Sequence, residues 1–367
     1  MYLQSESNME DNSQFSEELK KNAELVHWIC SVPVGITICI LGLLGNSVSV
    51  LVWTRIRRRM RETNSTIKYF ISMGLIDSGL LIFFILHDSI PAADPGFVHT
   101  YWFSALYSFF FFPFFFIFLL SSIWIVAAVT MDRYLLIVLQ IKVSKTLNSL
   151  ILFSLFFTGF TVNLPHFFFF KPVPAGDQWT WAKTEYAKTD AAFRYEFWMH
   201  CIFIILIPWV FIAVLNLLIV KFILKTSNNI KYLMSSDSTG TTGLSVSKAS
   251  HEKRNMKVEQ GLESPISNSE KAFNRRQDQN RRTTSTLLTV TFTFLILLLW
   301  QCIAQCFWMQ EWHKNDLQNP KIWFAVDISF GIAKLGIVFY SSINCILYFL
   351  SGSLFRKELR KLFRWSI

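Results

Sequence analysis

The sequence has little charge. Only 16% of its 367 residues are Asp, Glu, Lys or Arg, whereas 52% are hydrophobic. A water-soluble domain usually has about 25% charged residues, so we expect a protein that lies in a lipid bilayer. The net charge of +10 does not indicate nucleic acid, because the basic residues lie in short blocks beside apolar runs, as membrane proteins place them.

Cysteine is also scarce. The six cysteines lie inside or at the edges of apolar runs, and no CxxC pair or Cys/His cluster with metal spacing occurs. We therefore expect small buried thiols rather than a disulfide framework or a cysteine metal site. Residues 1–26 are polar and lack an apolar core, so we expect no cleavable signal peptide and a first span that directs insertion itself.

Long apolar runs are abundant. About 20 apolar residues are needed to cross a bilayer as a helix, because lipid cannot bond bare backbone groups. Seven runs are long enough, at about 27–54, 66–90, 102–136, 146–170, 196–225, 284–309 and 322–350. The predicted fold is an all-α membrane protein, a seven-transmembrane helix bundle.

Charge predicts the orientation of the bundle. An arginine block, Arg55 to Arg61, follows the first run, whereas the loop from Asp88 to Thr100 has no Lys or Arg. Basic loops stay in the cytoplasm, so the N-terminus is expected outside and the C-terminus inside. The predicted parts are an extracellular tail (1–26), spans one to five (27–225), a disordered cytoplasmic loop (226–283), spans six and seven (284–350) and a cytoplasmic end (351–367).

Two cytoplasmic segments are expected to be helical. The basic ends of the long loop, Lys221 to Lys231 and Arg275 to Arg282, are predicted to extend spans five and six. The end of the chain is predicted to form a short amphipathic helix on the inner membrane surface after the seventh span. Its apolar face would consist of Phe355, Leu359, Leu362 and Phe363.

Polar side chains inside the apolar runs are functional candidates, because a polar group in lipid is costly. The runs contain Asn46, Asp77, Ser122, Lys334, Ser341 and Asn344. Ser122 and Arg133 lie about three turns apart on one helical face. A second stripe recurs every seven residues, at Asp327, Lys334, Ser341 and Tyr348. Both stripes are expected to face the bundle interior or a water-filled cavity.

The meaning of these groups differs from one to the next. A serine or asparagine such as Ser122, Ser341 or Asn46, taken alone, could simply bond neighbouring helices. Asp77 differs, because a lone carboxylate there needs a cation, a proton or several donors.

An ordered set of motifs runs through nearly the whole chain. It consists of Gly45-Asn46, Asp77, Asp132-Arg133-Tyr134, Pro208 and Asn344-Cys345-Ile346-Leu347-Tyr348, each in its own span. The set resembles the pattern of rhodopsin-like (class A) G-protein-coupled receptors. The segment Met60 to Thr66 is similar to the same segment of the neuropeptide (FMRFamide-type) receptors.

The resemblance implies a plasma-membrane receptor that is not an enzyme and that passes the binding of an extracellular ligand, a neuropeptide, to a heterotrimeric G protein. It implies no cofactor apart from an allosteric sodium ion held by Asn46, Asp77, Ser122, Ser341 and Asn344. The implied G-protein residues are Asp132, Arg133, Tyr134, Ile141 and Tyr348. The implied ligand-binding residues are Phe115, Trp181, Glu196, Lys334 and Asp327.

The sequence departs from the family pattern in several places. Ser108 stands where the family has an outer cysteine of span three, and the loop Lys171 to Arg194 has no partner cysteine. We expect that loop to be held by its aromatic residues, Trp179, Trp181 and Tyr186. In span seven the expected proline is Cys345. In span six either Trp300, with Cys302 in place of proline, or Phe294 would be the packing switch.

Several alternatives stay open for the ligand. Phe115 stands where amine receptors have an aspartate, and Val338 where light-sensing relatives have a lysine, so neither class is expected. Lys334 would contact an acidic ligand group, pair with Asp327 or Glu196, or extend towards the outer interface. An orphan or chemosensory receptor for a small acidic or lipid ligand is the alternative function. An ion-conducting protein that uses Asp77 and Lys334 is less favoured, since no inverted repeat is present.

An enzyme is not expected. An intramembrane protease needs paired aspartates or a Ser/His dyad on facing spans, and Asp77 is the one carboxylate that the sequence places deep in the bundle.

Overall fold

The computed structural model describes residues 17–59, 65–239, 284, 286–301, 303–309 and 320–364. These residues include seven helices long and apolar enough to cross a membrane, which we call spans 1 to 7. They are Glu17–Arg59, Thr66–Ala93, Tyr101–Ile137, Thr146–Phe168, Asp190–Thr226, Thr286–Met309 and Phe324–Ser351. The predicted seven-helix bundle is confirmed.

The spans pack around span 3. Span 3 contacts spans 2, 4 and 5, while span 1 contacts spans 2 and 7. Spans 6 and 7 approach closely at Gly336, where a Cβ atom would lie 2.8 Å from the Leu297 carbonyl oxygen. Small residues allow such approaches in membrane bundles. Span 4 lies at the periphery, and its phenylalanines, such as Phe153 and Phe157, are mostly exposed on the bundle surface.

Four spans contain π-helical segments, and prolines explain them. The segments are Cys30–Val34, Ile85–Ser89, Tyr107–Phe111 and Trp198–Leu206. The first contains a proline, and the others end two residues before one; the prolines are Pro33, Pro91, Pro113 and Pro208. Proline has no N–H and its ring displaces the carbonyl one turn back, and a local widening to π geometry lets the freed groups bond again. All four segments lie towards one end of the bundle.

The remaining helical segments are regular. The α-helices within and beside the spans are Gly35–Arg59, Ser65–Phe84, Ile90–Ala93, Pro95–Val98, Tyr101–Leu106, Phe112–Ile137, Lys145–Val162, Asp190–Phe197, Ile207–Thr239 and Pro320–Ser351. Short 3₁₀ turns occur at Leu164–Phe168 and Tyr186–Lys188.

Two helix ends differ from the predicted bounds. Span 1 begins at Glu17, so residues 17–26 of the predicted tail are helical, and residues 1–16 lie outside the described residues. The helix of span 5 continues to Thr239, which confirms the extension through Lys221 to Lys231 and moves the boundary predicted at 226. The rest of the predicted loop, 240–283, lies outside the described residues, as does the predicted helical extension Arg275 to Arg282.

One end of the bundle carries a β-hairpin that the all-α prediction omitted. Strands β1 (Phe170–Ala175) and β2 (Gln178–Lys183) pair antiparallel, joined by Gly176 and Asp177. Gly176 has a φ of 63°, a left-handed conformation that suits a two-residue hairpin turn. We call this the hairpin end.

The opposite end, which we call the basic end, carries Arg57, Arg58 and Arg59 in the last turn of span 1. The predicted amphipathic helix is present there as Ser353–Arg364. Its Phe355 is fully buried, Leu359 and Leu362 pack against the core, and Phe363 is exposed. Arg59 of span 1 donates to Glu358 of this helix at 2.8 Å.

Candidate functional site

A cavity of about 580 Å³ opens beside the hairpin. This volume lies within the range of small-molecule and cofactor sites. Its floor is apolar, formed by Leu119, Ile123, Leu298 and Ile337. Its walls carry aromatic rings and a few charged or polar groups, including His87, Asp88, Glu196, His200, Gln301 and Lys334.

The structure brings three of the five predicted ligand residues to this cavity. Phe115, Glu196 and Lys334 line it. Trp181 and Asp327 lie behind the wall. Trp181 stacks on Tyr107, whose ring faces the cavity, and Asp327 accepts a hydrogen bond from the cavity residue Trp308 at 3.2 Å.

Lys334 pairs with Asp88, a partner that the sequence did not indicate. The Lys334 ammonium donates to Asp88 Oδ1 at 2.7 Å, and Ser31 donates to Asp88 Oδ2 at 2.5 Å. The two charged side chains are 17% and 15% exposed. The pairings predicted for Lys334, with Asp327 or Glu196, are therefore wrong. The reason is the course of span 2, which continues as a helix through Asp88 to Ala93, so that Asp88 faces the bundle instead of lying in a loop.

A second polar contact joins span 1 to span 7. His27 lies 3.1 Å from a carboxylate oxygen of Asp327. Trp308, which bonds the same carboxylate, stacks on Phe330 at 4.5 Å. The bundle interior at the hairpin end thus holds Asp88, Asp327 and Glu196, which corrects the expectation that Asp77 is the one carboxylate deep in the bundle.

Aromatic packing holds the hairpin where the family pattern has a disulfide. Ser108 is buried within span 3, and the cysteines among the described residues are free. Trp181 of β2 stacks on Tyr107 with ring centroids 4.2 Å apart, and Trp179 packs edge-on against Tyr101 at 4.9 Å. The Trp179 backbone N–H donates to the His99 carbonyl at 3.1 Å. The expected aromatic anchoring is present.

A buried polar cluster surrounds Asp77 in the middle of the bundle. Asn344 donates to Asp77 Oδ2 at 2.7 Å, and the Ser122 hydroxyl donates to Asp77 Oδ1. Asn46 donates to the Ser341 carbonyl at 2.9 Å. We call this set the Asp77 cluster; its members are Asn46, Asp77, Ser122, Ser341 and Asn344, all buried. Helical spacing predicted interior positions for Ser122 and Ser341, and both are buried.

Two oxygens of the Asp77 cluster have no hydrogen-bond partner in the described part of the chain. They are Asn46 Oδ1 and Ser341 Oγ, both fully buried. With the Asp77 carboxylate they form a set of oxygen donors, and a hard cation such as sodium prefers oxygen ligands. The residues present therefore fit the sodium ion that the resemblance implied.

One member of this region was missed in the sequence. Tyr340 donates to Ser122 Oγ at 2.9 Å. It immediately precedes Ser341, but nothing in its spacing marks it, because it lies off the seven-residue stripe.

The predicted G-protein residues do not form one exposed surface. Arg133 donates to Asp132 at 2.9 Å, and the two side chains are 0% and 4% exposed. Tyr134 is half-buried, and Ile141 is exposed beyond the end of span 3. Tyr348 is fully buried. The basic end is therefore closed over Arg133.

Tyr348 belongs to an aromatic cluster that joins spans 1, 2 and 7 to the amphipathic helix. Its ring lies 4.9 Å from Phe70, 5.5 Å from Trp53 and 5.7 Å from Phe355. Its hydroxyl is buried without a hydrogen-bond partner among the residues that the structure describes.

Packing in span 6 selects between the two candidates for the aromatic switch. Phe294 is 3% exposed and packs edge-on against Tyr340 at 5.3 Å. Trp300 is 52% exposed on the outside of the bundle. Phe294 is therefore the interior ring of span 6. Cys302, the candidate replacement for proline, lies outside the described residues.

Two hydrogen bonds join spans 5 and 6 on either side of Phe294. Asn216 donates to Thr291 Oγ1 at 2.9 Å, and Trp209 donates to the Leu295 carbonyl at 2.9 Å. These bonds join span 5 to span 6 at two points.

Comparison with known families identifies the family of the chain. A sequence model described as 7 transmembrane receptor (rhodopsin family) matches residues 45–348. The matched stretch begins at Gly45 and ends at Tyr348, so it contains the Asp77 cluster, Asp132-Arg133-Tyr134 and the cavity floor. A comparison with curated proteins found no match.

Proposed function

Because the chain belongs to the 7 transmembrane receptor (rhodopsin) family, we propose that it binds a neuropeptide in the cavity at the hairpin end and activates a heterotrimeric G protein from the basic end. Membership of the family makes the chain a G-protein-coupled receptor and not an enzyme. The proposal places the hairpin end outside the cell and the basic end in the cytoplasm. The arginines that end span 1 support this orientation.

The proposal rests on the packing that connects the cavity to Arg133 along spans 3 and 6. The cavity floor includes Leu298, one turn from Phe294 along span 6, and Phe294 contacts Tyr340 above the Asp77 cluster. At the other end of span 3, Arg133 is buried against Asp132. A ligand that shifts span 6 would therefore bias whether Arg133 is covered, and such differential binding is what a receptor needs.

The cavity walls favour a peptide over a small acidic ligand. Lys334 already forms an ion pair with Asp88 at 2.7 Å. An acidic ligand group would therefore gain less binding free energy there than beside an ammonium without a carboxylate partner. The walls present both signs of charge, aromatic rings and an apolar floor, a mixture that suits the amides and varied side chains of a peptide. The similarity of Met60 to Thr66 to neuropeptide receptors supports the same ligand class, although 60–64 lie outside the described residues.

The Asp77 cluster is proposed to hold a sodium ion that favours the closed state. Asp77, Asn46 and Ser341 would supply oxygens to it. Replacing potassium by sodium at constant ionic strength should raise the thermal midpoint of the purified receptor, since an ion that binds the folded state stabilises it. Asp77→Asn should abolish the difference between the two salts. An equal difference in the variant would contradict the assignment.

The test of the receptor function is G-protein activation in cells that express the chain, screened against a neuropeptide library. Arg133→Ala should abolish the response at equal surface expression, while Arg57→Ala, which changes an exposed arginine of the same end, should leave it largely intact. Basal signalling that needs Arg133, without any response to peptides, would support the receptor function and contradict the peptide ligand. Silence throughout, with an ion current lost in Asp77→Asn, would overturn the proposal.

A further inference from the structure

Three side chains that can ligate a metal meet in the wall of the cavity. His166 at the end of span 4 and Glu196 and His200 in span 5 each bring one ligand atom to within 4.8 Å of the others. Both histidines are buried, and Glu196 and His200 line the cavity. The sequence did not reveal this cluster, because thirty residues and a hairpin separate His166 from Glu196.

Three of the four histidine nitrogens of this cluster lack a hydrogen-bond partner among the described residues. His166 Nε2 and both ring nitrogens of His200 are buried without a hydrogen-bond partner within the described ranges. An unsatisfied buried polar group costs about 1–3 kcal/mol, and a native structure that retains several together calls for a physical reason. Coordination of an ion would use the lone pair on one nitrogen of each ring.

Tyr195 sets the tautomer of His166. The Tyr195 hydroxyl donates its one proton to the Val162 carbonyl at 2.8 Å and also lies 3.3 Å from His166 Nδ1. The contact with His166 therefore has Nδ1–H as the donor and the tyrosine oxygen as the acceptor. His166 Nε2 then carries the free lone pair, and an outer bond of this kind is the usual companion of a metal-bound histidine.

The local helix geometry holds the rings in place. Glu196 and His200 are four residues apart in the helix, a spacing that puts both on one face, and the π-helical segment Trp198–Leu206 begins between them. π-Helical turns frequently occur at functional sites. Phe116 of span 3 stacks on His166 at 4.7 Å and lies 4.4 Å from His200, so both rings are packed against one aromatic face.

We propose that His166, Glu196 and His200 form a Zn²⁺ site whose remaining coordination position faces the cavity. Two imidazoles and one carboxylate are a known zinc donor set, with one position left open to water or another ligand. Tetrahedral bonds of 2.0–2.1 Å place ligand atoms about 3.4 Å apart, so binding draws the three groups together. The open position would take water or an oxygen donor of a molecule in the cavity. The site is independent of whether the cavity binds a peptide.

Metal binding to the purified full-length receptor in detergent tests the site without any ligand or G protein. Zn²⁺ should bind in competition with a chromophoric chelator and raise the thermal midpoint, and Co²⁺ should give the visible absorption of a low-coordinate centre. His200→Ala, His166→Ala and Glu196→Gln should each weaken Zn²⁺ binding by more than the roughly 10–100-fold that follows loss of an outer partner. His99→Ala, which changes a histidine of the same end outside the cluster, is the matched control and should bind as the wild type does.

Tyr195→Phe provides the second test, in case a ligand variant fails to fold. It removes only a hydroxyl, keeps the ring packing and frees the His166 tautomer, so Zn²⁺ affinity should fall by roughly tenfold or more. Wild-type protein that shows no Zn²⁺-dependent midpoint shift and no Co²⁺ spectrum would overturn the proposal. Equal losses in His99→Ala and His200→Ala, or unchanged affinity in His200→Ala and Tyr195→Phe, would overturn it as well.

Discussion

The basic half of the bundle is closed, whereas the hairpin half is open. In the basic half, Arg133 is bonded to Asp132 and Asn216 to Thr291, and both pairs are buried. In the hairpin half, ion pairs and unsatisfied histidines surround a cavity of about 580 Å³. A membrane bundle can thus accommodate buried polar groups either by pairing them with one another or by placing them around a cavity. The basic half uses pairing and is closed, whereas the hairpin half has a cavity that can bind a ligand.

The largest effect should come from breaking the ion pair in the cavity wall. Lys334→Met leaves the Asp88 carboxylate without its cation, and loss of one partner of a buried pair typically costs about 3–5 kcal/mol. Because both side chains are partly exposed to the cavity, we expect about 2–3 kcal/mol of lost unfolding free energy, measured by denaturation in detergent.

The double variant separates charge from packing. Lys334→Met with Asp88→Leu removes both charges and should recover most of the lost stability, because replacing a whole buried pair by apolar groups is often nearly neutral. If the double variant is as unstable as the single one, the pair does not explain the stability of this wall.

The next effect concerns the aromatic anchor of the hairpin. Trp181→Ala removes the stack on Tyr107 and should cost about 2 kcal/mol, less than a fully buried tryptophan, because Trp181 is only half-buried. Trp102→Ala, at a tryptophan that is 75% exposed on the same end, is the control and should cost little. A thiol reductant should not shift the unfolding midpoint of the wild type or of either variant. A large shift would show that a disulfide holds this end.

The two halves also differ in how far the sequence foretold them. Helical spacing put Ser122 and Ser341 on interior faces, and the resemblance to the receptor family implied the rest of the Asp77 cluster and the role of Asp132-Arg133. The Lys334–Asp88 pair was not predictable, because it depended on where span 2 ends, and the helix continues past Pro91 to Ala93, further than the polar loop composition suggested.

The contact between spans 4 and 5 in the cavity wall carried no signal in the sequence. His166 and His200 lie on spans 4 and 5, so no local spacing relates them. The hairpin Phe170–Lys183 is short, with prolines at two strand positions, and was missed within an otherwise helical pattern. Phe294 and Trp300 were equal candidates until packing showed which ring faces Tyr340.

A smaller effect should test the closed half. Thr291→Val removes the hydroxyl that bonds Asn216 between spans 5 and 6, and interhelical bonds of this kind are worth about 1 kcal/mol. The loss of stability should be recovered in Asn216→Leu with Thr291→Val, which leaves no buried amide unsatisfied. A double-mutant cycle in the unfolding free energy measures the coupling, and a coupling near zero would mean that this bond does not lock the two helices.

The smallest effect should come from an ion pair that matches Lys334–Asp88 in length but not in burial. Lys188 lies 2.9 Å from Glu185 beyond the spans, with the two side chains 58% and 84% exposed, and it holds the pKa of Glu185 below its usual value through its hydrogen bond and charge. A carboxyl with a lowered pKa stabilises the fold above its ordinary pKa and loses that contribution as the pH falls. Here solvent screens the pair, so Lys188→Ala should unfold at the wild-type midpoint both at neutral pH and near about pH 4. If Lys188→Ala unfolds at a lower midpoint than the wild type at neutral pH but not in acid, distance alone sets the strength of these ion pairs. If the two proteins unfold at the same midpoint at both pH values, burial is the property that distinguishes the pair in the cavity wall from the pair at the surface.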